Sequence, residues 1–87
     1  MVLFKIDPKG SLGHDLRKID KQFIPKILEA IESLSENPFP VQSKKLKGAE
    51  SSYRLRVGDY RVIYQVDALN QTVTIYHARH RKDVYKR

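Results

Sequence analysis

At 87 residues, with 40% hydrophobic and 31% charged residues and only four glycines and four prolines, the chain has the composition of a folded protein and room for one core, a single domain over residues 1–87. The lack of cysteine excludes a disulfide framework and a thiolate metal site. An opening MVLFKID too short for a signal peptide, with no apolar run of membrane-spanning length, leads us to expect a cytoplasmic protein with no membrane partner. Seventeen Lys+Arg against ten Asp+Glu, a net charge of +7 and a pI near 9.8 favour a polyanionic partner, either nucleic acid or an acidic protein surface.

Residues 2 to 6, VLFKI, are short, apolar and β-leaning, and predict a first strand closed by the turn chemistry of Asp7-Pro8 and Lys9-Gly10. Leu12, Leu16 and Ile19 then fall at spacings of four and three, one face of a first helix whose start Gly10 and Gly13 weaken. A wider stripe of Phe23, Ile24, Ile27, Leu28, Ile31 and Leu34 predicts a second helix, with Pro25 tolerable only in its first turn. The two helices should form a hairpin around Asp20 to Gln22. Ser35-Glu36-Asn37-Pro38 and Pro40 stop the second helix, and the loop that follows carries KKLKG, residues 44 to 48.

From there the apolar period changes from 3.6 to 2, with strands expected at about 52–57, 60–67 and 72–79. The fold class is therefore α+β: an N-terminal strand, a two-helix hairpin, a three-stranded antiparallel meander forming a small twisted sheet, and a short C-terminal helix or tail.

The stretch YRLRVGDYRVIY, residues 53 to 64, reads as a β-hairpin turning at Gly58-Asp59. Val57 then faces Tyr60, Arg56 faces Arg61, Leu55 faces Val62 and Arg54 faces Ile63. One face is Tyr53, Leu55, Val57, Tyr60, Val62, Tyr64 and Val66 and belongs against the helices. The other gathers Arg54, Arg56 and Arg61 with Ile63 and Gln65. Like charges directly opposite one another cost stability, by an amount comparable to the roughly 0.2–1 kcal/mol that a good cross-strand pair contributes. Guanidinium groups match phosphate oxygens in bidentate fashion, which gives the trio a functional use.

The C-terminal HARHRKDVYKR adds His77, Arg79, His80, Arg81, Lys82 and Tyr85 beside the arginine face, while Lys44, Lys45 and Lys47 extend the basic surface that guides a phosphate backbone. His77 and His80, three apart on a strand, point to opposite faces with no cysteine or carboxylate cluster to join them, so no metal site is expected. His14 reads as a solvated side chain.

DLRKI (15–19), NPFP (37–40), KKLKG (44–48), YRLRVGDYRVIYQV (53–66) and HRKDVY (80–85) together resemble the RelE toxins of bacterial and archaeal type II toxin–antitoxin systems, over nearly the whole chain from Asp15. The resemblance implies a helical hairpin on a mostly antiparallel sheet, no cofactor, and cleavage of mRNA in the ribosomal A site by attack of the 2′-hydroxyl on the adjacent phosphate without a metal. It also implies inhibition by a cognate antitoxin, in a toxin–antitoxin oligomer. Carried over by position, Arg54 and Arg56 match the basic pair on the family's second strand, Arg61 its hairpin arginine, Arg81 its tail arginine and Tyr85 the aromatic that stacks on a base. Where relatives carry lysine at the first two positions a proton acceptor is available, whereas arginine stays protonated. His80, beside Arg81, is the expected substitute, because an imidazole titrates near neutral pH. The related ParE type, which poisons DNA gyrase by contact, and a catalytically weak relative that only binds RNA or ribosomes are the alternatives.

Overall fold

The computed structural model describes residues 3–48 and 51–83, so Tyr85 lies outside the described residues. In chain order the elements are strand β1 (Lys5–Pro8), helix α1 (Gly10–Leu16), a 3₁₀ turn (Lys21–Phe23), helix α2 (Ile24–Ser33), and strands β2 (Ser43–Lys45), β3 (Ser52–Val57), β4 (Tyr60–Asp67) and β5 (Thr72–His80). The strands form one five-stranded sheet in the order β1-β5-β4-β3-β2, with β1 parallel to β5 and every other pair antiparallel.

The expected meander is present as β3, β4 and β5, with two strands added to it. Ser43, Lys44 and Lys45, read as loop, pair with Leu55, Arg54 and Tyr53 as an edge strand. A short edge strand carrying lysines resists pairing with another chain, and its polar residues hide the period on which sequence reading depends. At the other edge, Asp7 and Pro8 continue β1 where a turn was expected. Proline is admissible at an edge-strand end because its missing N–H interrupts no inner ladder.

Helix α1 starts at Gly10, earlier than its apolar period, and stops at Leu16. The link to α2 is built by Asp20, whose side chain accepts from the Gln22 N–H at 3.1 Å and opens the 3₁₀ turn. Pro25 sits in the first turn of α2, where no intrahelical partner for its N–H is needed. Leu12 of α1, Ile27 and Ile31 of α2 and Leu34 just after it are buried against Leu55, Val62, Tyr64, Val66, Val73, Ile75 and Ala78 of the sheet. Each buried Leu, Ile or Val among them contributes roughly 1.5–3 kcal/mol by leaving water. Phe23 and Leu28, expected in the same helical stripe, remain 41% and 40% exposed; Phe23 falls in the 3₁₀ turn, where its ring still packs on Tyr60 with centroids 5.4 Å apart.

Two local features position the site. β1 pairs with β5 only as far as Ile75, so the rest of β5 would be an open edge. Helix α1 closes it with side chains: the Ser11 hydroxyl donates to the Tyr76 carbonyl at 2.6 Å, and Asp15 Oδ2 accepts from the Ala78 N–H at 3.3 Å. The ladder between β4 and β5 also slips by one residue, pairing Tyr64 with Ile75 but Ile63 with His77, so Tyr76 is a bulge. Alternation continued from buried Val73 and Ile75 would put His77 and Arg79 in the core. The extra residue moves Ala78 there instead and turns His77 and Arg79 to the outer face.

Candidate nucleic-acid interface

The hairpin forms in the register expected from its alternation, with Arg54 opposite Ile63, Leu55 opposite Val62, Arg56 opposite Arg61 and Val57 opposite Tyr60. Gly58, at φ 59°, supplies the positive dihedral that the first turn position of a two-residue hairpin loop demands. The outer face becomes a grid. One row runs Arg56, Arg61 and Arg79 across β3, β4 and β5, and the next runs Lys44, Arg54, Ile63 and His77 from β2 to β5.

Arg61 is the centre of the first row. Its Nη1 donates to the carbonyls of Gly58 and Tyr60, each at 2.9 Å, which folds the guanidinium back over the hairpin turn. Desolvation, then the repulsive fields of Arg56, Arg54 and Arg81, hold its pKa below the ordinary arginine value, while Asp59 opposes them. Arg81 reaches the same end of the sheet: its N–H donates to the Asp59 carbonyl at 2.7 Å and its guanidinium lies 3.8 Å from the Asp59 carboxylate. A bound phosphate would neutralise a field that the fold otherwise carries at a cost.

Arg79, read from sequence as an RNA-binding residue, occupies the strand position paired with Arg61, its guanidinium turned toward Asp15. No sequence signal reveals this placement, because it depends on the bulge at Tyr76. Of the basic loop residues, Lys44 shares the outer face with Arg54, whereas Lys45 pairs with Tyr53 and so projects to the opposite side. Lys47 is exposed in the turn after β2, and Lys82 is exposed just past β5.

His80 is not where the sequence placed it. It pairs with Tyr60 on the helix side of the sheet, its ring meeting the Tyr60 ring edge-on at 5.5 Å, and its Nδ1 accepts from the Lys82 N–H at 3.2 Å. There it lines an open depression with His14, Asp15, Lys18, Tyr60, Arg79 and Asp83, while Arg54, Arg56 and Arg61 belong to the opposite face of the sheet. His77 occupies the outer face instead. Its Nδ1 lies 2.8 Å from Asp15 Oδ2, and the Arg79 guanidinium approaches the same oxygen at 3.5 Å. Asp15 itself is 9% exposed, fixed by the strand edge that it closes.

On the helix side, the NPFP loop closes the core below β3 and β4. Tyr64 donates its buried hydroxyl to the Pro38 carbonyl at 2.8 Å, Tyr53 stacks on Tyr64 with centroids 5.7 Å apart, and Phe39 meets Tyr53 edge-on at 5.1 Å. Burial pushes the Tyr64 hydroxyl's pKa up. These contacts hold β3 and β4 rigidly under the arginines. No group of three or more metal-ligating side chains occurs among the described residues, and no helix among them is long and apolar enough to cross a membrane.

Residues 12–85 match the family model described as the ParE toxin of type II toxin–antitoxin systems, parDE. Toxin RelE3 of Methanocaldococcus jannaschii is 37% identical over 82 residues, covering 94% of this chain and 86% of that protein. Toxin RelG of Mycobacterium tuberculosis is 31% identical over 74 residues, covering 84% and 85%. Among solved structures, the archaeal RelE–RelB complex from Pyrococcus horikoshii OT3 contains a chain that superposes with a TM-score of 0.79 at 27% identity, covering 92% of this chain and 97% of that one. With a five-stranded sheet, two helices and this extent of similarity, the chain belongs to the RelE/ParE superfamily of toxins of type II toxin–antitoxin systems.

Proposed function

We propose that the chain is an endoribonuclease that cleaves mRNA on the ribosome and is held inactive by a cognate antitoxin. The observation that carries this reading is the row in which Arg56, Arg61 and Arg79 are directly paired backbone positions across three strands, with Arg54 and Lys44 in the next row and the fields of Arg56, Arg54 and Arg81 converging on Arg61. Such a row suits a phosphodiester whose charge rises as an internal 2′-hydroxyl attacks it, since preformed cations stabilise developing charge without reorganising. Arg61 would bind the non-bridging oxygens, Arg54, Arg56 and Arg79 would hold the flanking phosphates, and Arg81 would meet the leaving side. An acidic or amphipathic antitoxin segment would cover the same face and replace the phosphates as counter-charge.

The test is cleavage of mRNA in programmed ribosomes by purified protein. New ends within codons are expected, and Arg61→Ala should lower the rate by about 10²–10³-fold, the usual cost of removing a group that stabilises developing charge. Unchanged cleavage by Arg61→Ala would overturn the assignment. The matched family model names the ParE toxin, which favours a second reading as an inhibitor of DNA gyrase. A supercoiling assay separates the two, because a ribonuclease leaves supercoiling untouched.

A further inference from the structure

Cleavage through a 2′-hydroxyl needs a proton acceptor, and the arginine row does not provide one, because guanidinium groups stay protonated in proteins. His80 lies on the other side of the sheet with Nδ1 engaged by the Lys82 N–H. From the outer face we infer that His77, oriented by Asp15, is the general base of this reaction, an inference that rests on the ribonuclease reading above.

The geometry is that of a histidine–carboxylate dyad. Asp15 Oδ2 lies 2.8 Å from His77 Nδ1. A carboxylate only accepts hydrogen bonds, so the imidazole donates from Nδ1, and the nitrogen left for a 2′-hydroxyl proton is Nε2 of the neutral ring. Asp15 is held in place, since the same oxygen accepts from the Ala78 N–H at 3.3 Å and Asp15 is buried between α1, which carries it, and β5. The His77 side chain is 31% exposed, which leaves the ring accessible to substrate. Its strand position is diagonal to that of Arg61 across β4 and β5, a spacing between the two positions of roughly 7–8 Å, so both side chains belong to the same stretch of the outer face. The charged groups at the ring are Asp15 from α1 and Arg79 from its own strand, ring and guanidinium meeting at Asp15 Oδ2, while Ile63 directly opposite is uncharged.

In the step, Nε2 takes the 2′-hydroxyl proton as O2′ bonds to phosphorus. The P–O5′ bond breaks with its electron pair passing to O5′, which is protonated by water. The products are a 2′,3′-cyclic phosphate and a 5′-hydroxyl end. His77 is the catalytic residue and Asp15 the positioning residue.

The experiment is single-turnover cleavage of programmed ribosomes by the full chain, wild type against His77→Ala. General-base loss should lower the rate by about 10²–10⁴-fold, with ribosome binding retained. Added imidazole should restore part of that rate to His77→Ala and none to Arg61→Ala. A substrate with sulfur in the bridging 5′ position, whose leaving group needs no proton, should leave the His77→Ala defect in place. Asp15→Asn should slow the wild type but add nothing in the His77→Ala background, as coupled residues do. Wild-type cleavage by His77→Ala, loss without imidazole rescue, or recovery on the sulfur substrate would each overturn the base assignment while leaving the ribonuclease reading standing. An additive Asp15→Asn effect would overturn the positioning role, and a wild-type protein that cuts nothing would overturn both readings.

Discussion

Replacing Arg56 by glutamine separates a charge kept for structure from one kept for function. Arg56 lies directly opposite Arg61, and among the described residues no carboxylate stands within ion-pair distance of it. Removing it deletes one directly opposed like-charge pair, so Arg56→Gln should stabilise the fold by about 0.2–1 kcal/mol at low ionic strength. For a domain of this size each 1 kcal/mol moves the melting midpoint by about 4–8 °C, giving an increase of roughly 1–8 °C. At about 1 M salt, where the screening length falls to about 3 Å, the gain should vanish. Cleavage of ribosome-bound mRNA should fall at least about tenfold, the loss of one charge-assisted phosphate contact. Thermal melts at two salt concentrations, run beside the cleavage assay, check both arms. A variant less stable than wild type at low salt would refute the claim that the arginine row is a stability cost borne for a ligand.

Tyr64→Phe removes the buried hydrogen bond to the Pro38 carbonyl and should cost about 0.5–1.5 kcal/mol in urea unfolding. Because burial raises the folded-state pKa of Tyr64, its contribution is complete below the unfolded value near 10 and is lost as pH rises from there through the folded value; the phenylalanine variant should lack this part of the alkaline loss. Asp67 behaves in the opposite sense. The Asn70 N–H and side-chain amide lower its pKa, so its contribution is present above the unfolded value near 4 and is lost as pH falls through the folded value. The urea midpoint of Asp67→Ala should therefore decline less than that of wild type between about pH 5 and pH 2.5.

The hairpin was legible in the sequence because period-2 alternation and a Gly-Asp turn leave a single register that buries Leu55, Val62 and Tyr64 together. The stripe of α2 was legible for the same reason at period 3.6, although Phe23 and Leu28 stay partly exposed. What escaped was decided by tertiary partners. Ser43, Lys44 and Lys45 become a strand only because β3 offers a ladder to them. The bulge at Tyr76 has no local signature, yet it exchanges the faces of the last strand, sending His80 to the helices and bringing His77 and Arg79 beside Arg61. Asp15, quoted in sequence only within DLRKI, became visible as a site residue once α1 was seen to close the edge of β5. Tyr85 lies outside the described residues, and its stacking role rests on the resemblance alone.

The most direct measurement is the mapping of RNA 5′ ends in cells producing the wild-type chain or Arg61→Ala. New ends inside translated codons, carrying 5′-hydroxyl groups, are expected in the wild type and should disappear in the variant. Growth arrest with an unchanged profile of RNA ends, or identical ends from both proteins, would contradict the ribonuclease reading.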